Sequence, residues 1–336
     1  LNLTRGALEL TKTVNSLEIL EKQVVFGLYK LPDKPGIAAQ IFEKLSEAGV
    51  NVDLIIQSTR EKSSNDISFT ISEKSLTKTI EQCNLIISQL GGEYSITKNV
   101  TKLSIQGAGI MGRPSVSAEL FDSLSKANIN VRLIATSEIK VSCVIDLKDI
   151  AKAIRFVGGK FKLSATQIFI NPISEIKDKP EVRGIALDKN QVQVSIRNLP
   201  DKPGVAASIC LALAEANLIF DTIVQSERNN KLGSKDISFT MSREDRQNAE
   251  EIFKLLIQKY PGSEFQDGPT IAKVSAVGEG MAFKVGTAAK IFRALADDNI
   301  NIEMIATSEI RTSCIVLEKD CNRAVNAIHK FFKLSK

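Results

Sequence analysis

Between residues 24 and 97 the spacing of apolar side chains changes several times, and each change marks an element. VVFGLYKL, residues 24–31, has the length and composition of a strand. Asp33, Pro35 and Gly36 then signal a helix start. Ile37, Ile41 and Leu45 recur at helical spacing, with Ala38 and Phe42 beside them, and Gly49 ends the stripe. Val52, Leu54 and Ile56 alternate with Asp53, Ile55 and Gln57 as a strand, and Ile67, Phe69 and Ile71 make another after a short polar loop. Residues 76–90 read as a second helix, Gly91 and Gly92 break it, and residues 93–97 supply a fourth strand. The predicted order, strand, helix, strand, strand, helix, strand, is an α+β, ferredoxin-like unit with both helices on one face of an antiparallel sheet. Its other face and its edges are expected to be open to a neighbour.

The same pattern returns further along the chain. LPDKPGIAA at residue 31 reappears as LPDKPGVAA at residue 199, VDLIIQS at 52 as FDTIVQS at 220, and NDISFTIS at 65 as KDISFTMS at 235. NINVRLIATSEIKVSCVI at 128 likewise matches NINIEMIATSEIRTSCIV at 299, so the two halves of the chain are repeats. Each half is itself double, because residues 35–55 align with residues 114–134. The resulting division is a leader, 1–22; unit one, 23–99; unit two, 100–170; a Pro-containing, mixed-charge linker, 171–183; unit three with a preceding strand, 184–269; and unit four, 270–336. The units are expected to form two tandem pairs, one with two and three with four. Unit four is the most degenerate, with Phe283, Lys284 and Val285 at its helix approach and only Gly286 kept. It runs out after its second helix, so residues 185–187 are the expected donor of its last strand, and by symmetry residues 17–20 serve unit two. Because the sequence opens on Leu1 and its first twenty residues read as the tail of something else, an upstream portion is expected.

Composition narrows the chemistry. With no Trp and 5% aromatics among 336 residues, the cores must be aliphatic. No apolar run reaches the roughly 18 residues of a membrane span, and no signal peptide is visible, which points to the cytoplasm, or to the plastid stroma in a eukaryote. Five cysteines without CxxC spacing argue against a disulfide framework or a zinc site and for buried thiols. A net charge of +5 without charge blocks does not demand nucleic acid. An RNA-binding sheet with this strand order needs stacking aromatics where Leu103, Ile105, Cys143 and Ile145 stand. QGAGIMGRP carries Gly107, Gly109 and Gly112 at dinucleotide-loop spacing, but the strand that follows turns directly into another strand at residues 137–141 and leaves no room for a helical crossover. Those glycines are expected to serve a close approach, to a small ligand or to neighbouring backbone. The single histidine, His329, lies near the end of a terminal helix, and no nucleophile and base constellation is present.

What remains is the repeated loop. A helix start offers unpaired amides and the positive end of a dipole, which suit a carboxylate. Gly36 leaves the amides of Gly36, Ile37 and Ala38 open, and Asp33 at the rim is placed either to hold an ammonium or hydroxyl or simply to cap the helix. Carboxylate and ammonium close together describe a free α-amino acid. Asp53 with Gln57, and Asp221 with Gln225, share one face of the second strand as solvated polarity or as partners for a ligand's side chain. Ser137 with Glu138, and Ser308 with Glu309, end the equivalent strand of the adjoining units and are candidates to complete such a site.

LPDKPG, the DISFT strand, GAGIMGRP and NINVRLIATSEIKVSCVI closely resemble the C-terminal regulatory region of aspartokinase, built from ACT domains, over nearly the whole chain. The resemblance implies four tandem ACT domains in a cyanobacterial-type arrangement. It further implies that L-lysine or L-threonine, bound between paired units, inhibits the phosphorylation of aspartate. On this sequence it implicates Asp33, Gly36, Ile37, Ala38 and Gln57 with Asn130 and Val131 in the first pair. In the second pair it implicates Asp201, Gly204, Val205, Ala206 and Gln225 with Asn301 and Ile302, and for lysine Asp53 or Asp221 would meet the ammonium. Ser115, where the family usually has glycine, and the lost Arg-Pro of unit four count against equivalent sites in units two and four. The family's KFGGTS-like nucleotide loop does not occur in the sequence, so no cofactor is expected in this chain, ATP and Mg belonging to a kinase domain in cis. A homodimer or higher oligomer is expected, without nucleic acid or membrane, and the alternative is an amino-acid-sensing ACT module that controls a different enzyme.

Overall fold

The computed structural model describes residues 12–61, 64–172, 179–227, 234–281 and 284–334. Residues 1–11 of the leader, the middle of the 171–183 linker and Phe283 therefore lie outside the described residues. In the first half the chain forms β1 (Ser16–Pro32), α1 (Ile37–Glu47), β2 (Val52–Glu61), β3 (Ser64–Ser72), α2 (Leu76–Leu90) and β4 (Glu93–Gln106). It continues as α3 (Pro114–Lys126), β5 (Leu133–Thr136), β6 (Lys140–Asp146), α4 (Ile150–Lys160) and the short β7 (Ile168–Ile170). The second half repeats the order with β8 (Gly184–Pro200), α5 (Val205–Glu215), β9 (Phe220–Glu227), β10 (Ser234–Ser242), α6 (Arg246–Ile257) and β11 (Glu264–Val277). It closes with α7 (Thr287–Asp297), β12 (Met304–Ser308), β13 (Arg311–Leu317) and α8 (Cys321–Phe331).

β1, β4, β8 and β11 are 14 to 17 residues long because each runs through two units. The first part of β1 pairs with unit two, Leu17 opposite Ile105 and Ile19 opposite Leu103, and its second part pairs with β3 of unit one. β8 does the same in the second half, Leu187 opposite Val274 in unit four before it enters unit three. The register slips where the strand passes from one unit to the next, near Lys22 and Asn190, both at positive φ. That bulge turns a single strand into the shared edge of two modules.

Instead of four sheets with open edges, twelve strands close into one antiparallel ring, in the order β2, β3, β1, β4, β6, β5, β9, β10, β8, β11, β13, β12 and back to β2. β7 lies outside the ring, parallel to the start of β1. Closure runs through β12 against β2, Ile305 opposite Gln57, and β5 against β9, Ile134 opposite Gln225. Unit one thus stands beside unit four, and unit two beside unit three. The expected lateral pairing within each half is corrected here: units of one half are joined end to end through their long strands, and the side-by-side partner comes from the other half. The edges on which self-association was expected are consumed in the same way, since closing a sheet on itself removes its edges.

Three cores follow from this layout. One lies beneath the helices of units one and four, where Phe42 of α1 meets Phe292 of α7 with ring centroids 5.5 Å apart. Another lies beneath the helices of units two and three. The third fills the inside of the ring with small aliphatics such as Val25, Leu54, Ile56, Ala135, Val224 and Ala306. All five cysteines are free and buried, and burial pushes the Cys83 and Cys143 thiols up to about 12. Among the described residues no helix is long and apolar enough to cross a membrane.

Candidate functional site

Two seams between units carry the repeated loop. In the first, α1 begins at Gly36, whose φ of 92° is natural for glycine and strained for other residues, and no side chain caps the helix. Asp33 is therefore not the cap. Its Oδ1 accepts a hydrogen bond at 2.8 Å from Nδ2 of Asn65 and another at 2.8 Å from Nδ2 of Asn301 in unit four. Gln57 Nε2 donates to the Ile302 carbonyl at 2.6 Å.

The second seam is built alike from units three and two. Gly204, at φ 91°, starts α5 without a side-chain cap. Asp201 Oδ1 accepts from Asn130 Nδ2 at 2.5 Å, and Gln225 Nε2 donates to the Val131 carbonyl at 2.7 Å. The structure thus unites the sequence-predicted groups but exchanges their partners. Asn301 and Ile302 complete the Asp33 loop, and Asn130 and Val131 complete the Asp201 loop, because lateral pairing crosses between the halves.

Two differences between the seams were not read from the sequence. Where the first has Asn65, the second has Lys235, an almost fully buried ammonium 2.8 Å from Asp201 Oδ1. Where the first has Glu303, the second has Arg132, which binds Asp146 at 2.7 Å. The NDISFT and KDISFT repeats displayed the first exchange, and the NIE and NVR triplets the second. Burial, and then the charge of Asp33, raises the Glu303 carboxyl above its ordinary range. The first seam thus sets two carboxylates, Asp33 and Glu303, near each other, and the second sets Lys235 against Asp201. Both are tightly closed, with cavities of about 10 and 20 Å³.

Asp33 and Asp201 do not line the seam cavities, and neither do Asp53, Asp221, Ser137, Glu138, Ser308 and Glu309. The carboxylates at 53, 138, 221 and 309 face the inside of the ring, against cations the sequence reading passed over. Lys102 Nζ stands 2.5 Å from Asp53 and 3.6 Å from Glu309, Lys140 Nζ stands 2.6 Å from both Glu18 and Glu309, and Lys273 pairs with Asp221. Arg311 holds Glu138 with two hydrogen bonds, at 2.5 and 3.0 Å. Burial lowers the Lys102 ammonium, but Asp53 and Glu309 outweigh it and the net direction is up. Burial likewise raises Glu309, while Lys102 and Lys140 prevail and hold it below its ordinary value. Lys140 with Glu309 and Arg311 with Glu138 are equivalents under the repeat, so the two halves clasp each other reciprocally.

The glycine loop is structural. A Cβ on Gly107 or Gly109 would overlap the backbone of Thr13, and one on Gly278 or Gly280 that of residues 179–182, so these glycines admit the segment that leads into each long strand. Unit four, whose departures counted against a site, borders a cavity of about 570 Å³ between the start of α7 and the beginning of β2.

Comparison with known proteins agrees with this architecture. The profile of the ACT domain family matches residues 30–84, 103–161 and 274–332, together about half the chain. An aspartokinase of Pseudomonas aeruginosa is 40% identical over 169 residues, covering 50% of this chain and 40% of that protein. One of Corynebacterium glutamicum is 39% identical over 151 residues, 45% of this chain and 36% of that protein. The chain therefore spans about two-fifths of the length of these curated relatives. The crystal structure of aspartate kinase from Synechocystis superposes on 96% of this chain and 56% of its own, with 39% identity and a TM-score of 0.91. By the profile matches and the repeated strand and helix order, the chain belongs to the ACT domain family, and it is similar to the regulatory region of aspartokinases.

Proposed function

We propose that this chain is the allosteric region of an aspartokinase, built of four ACT units, and that end-product amino acids bound at its two seams inhibit aspartate phosphorylation by a kinase domain in cis. The observation that supports this most directly is the convergence, at each seam, of an uncapped helix start on one unit with an Asn on another that donates to the aspartate of the same loop. Amides suit the ligand carboxylate, and the aspartate and Asn suit its ammonium or hydroxyl. The contrast in charged groups supports a division of the effectors: the first seam, with Asp33 and Glu303, for L-lysine and its second ammonium, and the second, where Lys235 already pairs with Asp201, for the uncharged side chain of L-threonine. Neither closed seam accommodates an amino acid as it stands, so binding must part α1 from unit four or α5 from unit two. That opening is the conformational change that a ligand with differential affinity would drive. Homo-oligomers would assemble through outer surfaces, since the ring uses its own edges, and the reading places the protein in the cytoplasm or plastid stroma.

Calorimetric titration with lysine, threonine, methionine and leucine tests the reading. Lysine and threonine are expected to bind. Asp33→Ala should weaken lysine roughly tenfold or more and Asp201→Ala threonine by a similar factor, the loss of one charge-assisted contact. Titrations that neither substitution alters would rule the seams out as the sites.

A further inference from the structure

The segments that lead into β1 and β8 are equivalent under the repeat, and they differ at one charged position. In the second half Glu181, which passes against Gly278, turns its carboxylate toward the start of α7 in unit four. Lys290 Nζ binds that carboxylate at 2.8 and 2.9 Å, the Thr287 hydroxyl donates to it at 3.2 Å, and Lys284 stands 4.0 Å away. In the first half Thr13, which passes against Gly107, takes the place of Glu181, and Arg113 takes the place of Lys284. The carboxylate is missing from unit two, and a cavity of about 250 Å³ lies there, between residues 12–14, the start of α3 and the end of α4. It shares no lining residue with the seam cavities or with the cavity beside unit four.

The lining holds four cations, Lys12, Arg113, Lys160 and Lys162, and one carboxylate, Glu119, which stands where unit four has Lys290. Glu119 is matched by Lys160 at 3.4 Å. The other three cations have no ion pair among the described residues. Lys12 Nζ donates to the Lys162 carbonyl at 3.1 Å and to Gln167 Oε1 at 3.2 Å, and Arg113 Nη1 donates to the Thr13 hydroxyl at 3.1 Å, all neutral acceptors. Like charges gathered around one cavity repel, and an anion carrying two or more charges among them reverses the sign of that interaction.

We propose that this cavity is a binding site for a small multivalent oxyanion, which takes the place that the Glu181 carboxylate fills in unit four. The Arg113 guanidinium offers the fork that two oxygens of one anionic group accept, and Lys12 and Lys162 supply the remaining charge. Two sources share this chemistry, a phosphate group and a cluster of carboxylates.

Pyrophosphate, citrate and acetate, titrated calorimetrically into the whole chain in a buffer free of phosphate and sulfate, separate them. Pyrophosphate, citrate or both should bind, and monovalent acetate should not. Binding by pyrophosphate alone identifies a phosphate site, by citrate alone a polycarboxylate site, and by both a site that counts charges. Thr13→Glu, which installs the carboxylate that unit four already carries, should weaken binding at least tenfold, and so should Arg113→Ala, the loss of a charge-assisted contact. Lys259→Ala, which removes an exposed charge in unit three, and Asp33→Ala, at the first seam, should leave it unchanged. The proposal is overturned if neither multivalent anion binds, if acetate binds as well as they do, if Thr13→Glu or Arg113→Ala binds like the parent, or if Lys259→Ala weakens binding as much as they do.

Discussion

At Asp33 and Asp201 the same carboxylate is held by different company, and the difference is one side chain. Two neutral amides leave Asp33 its full charge, while Lys235 neutralises Asp201 inside a closed seam. Lys235→Asn should therefore convert the second seam toward the first, raising its affinity for lysine roughly tenfold relative to threonine, as competition calorimetry would read. Unchanged selectivity would mean that the Lys235 ammonium does not face the ligand. The exchange was visible in the repeats. Its meaning was not, because nothing in one sequence says that residue 65 approaches residue 33 and that residue 301 joins them from the far end of the chain.

Among elements, periodicity was a faithful guide wherever one face meets solvent. The helix read at residues 76–90 is α2, Leu76–Leu90, and the stripe of Ile37, Ile41 and Leu45 is the buried face of α1. The long strands were harder. β4 was read as a strand over residues 93–97, because Lys98, Asn99 and Lys102 interrupt the pattern that follows. Yet Lys102 is buried in the ring, its charge balanced by Asp53 and Glu309, a balance that only tertiary contact supplies. For the same reason the sequence did not show that the carboxylates at 53, 138 and 309 face Lys102, Arg311 and Lys140.

These ion pairs give the strands a pH response. Glu309 is held below its ordinary 4.5, so its contribution to stability is complete above that value and is lost as pH falls through its lower folded value. Lys102 is held above its ordinary 10.5, so its contribution is intact below 10.5 and is lost only as pH rises through the higher folded value. Thermal melts followed by circular dichroism should show Glu309→Gln less stable than the parent near neutrality and less sensitive to acid below about pH 4.5. Parallel acid profiles for the two proteins would show that Glu309 does not titrate with folding.

For the whole molecule, the reciprocal clasp joins the pairs of Lys102 with Asp53 and Glu309, and of Lys273 with Asp221, in tying units one and four to units two and three across the inside of the ring. On the proposed function, opening one seam would displace β12 and the adjoining Glu309, and Lys140 and Arg311 would carry that displacement to β5 and β6. Lysine affinity measured with and without threonine should therefore show coupling of about 1–3 kcal/mol, reciprocal between the two ligands. Arg311→Ala, which removes one arm of the clasp, should reduce it while leaving each ligand's own binding in place. Undiminished coupling in the variant would mean that the other ion pairs or the shared long strands transmit it instead.

The ring also carries a record of how such a chain can arise. A half alone would end in two raw borders, Val52–Glu61 and Leu133–Thr136, each missing the neighbour that the fused chain provides. Because the halves are repeats, a second copy of the same half offers both missing neighbours at once, and two copies would shut into the same twelve-stranded circle. Fusion thus replaces an encounter between molecules by a tether, and frees each half to drift toward its own ligand without losing its mate.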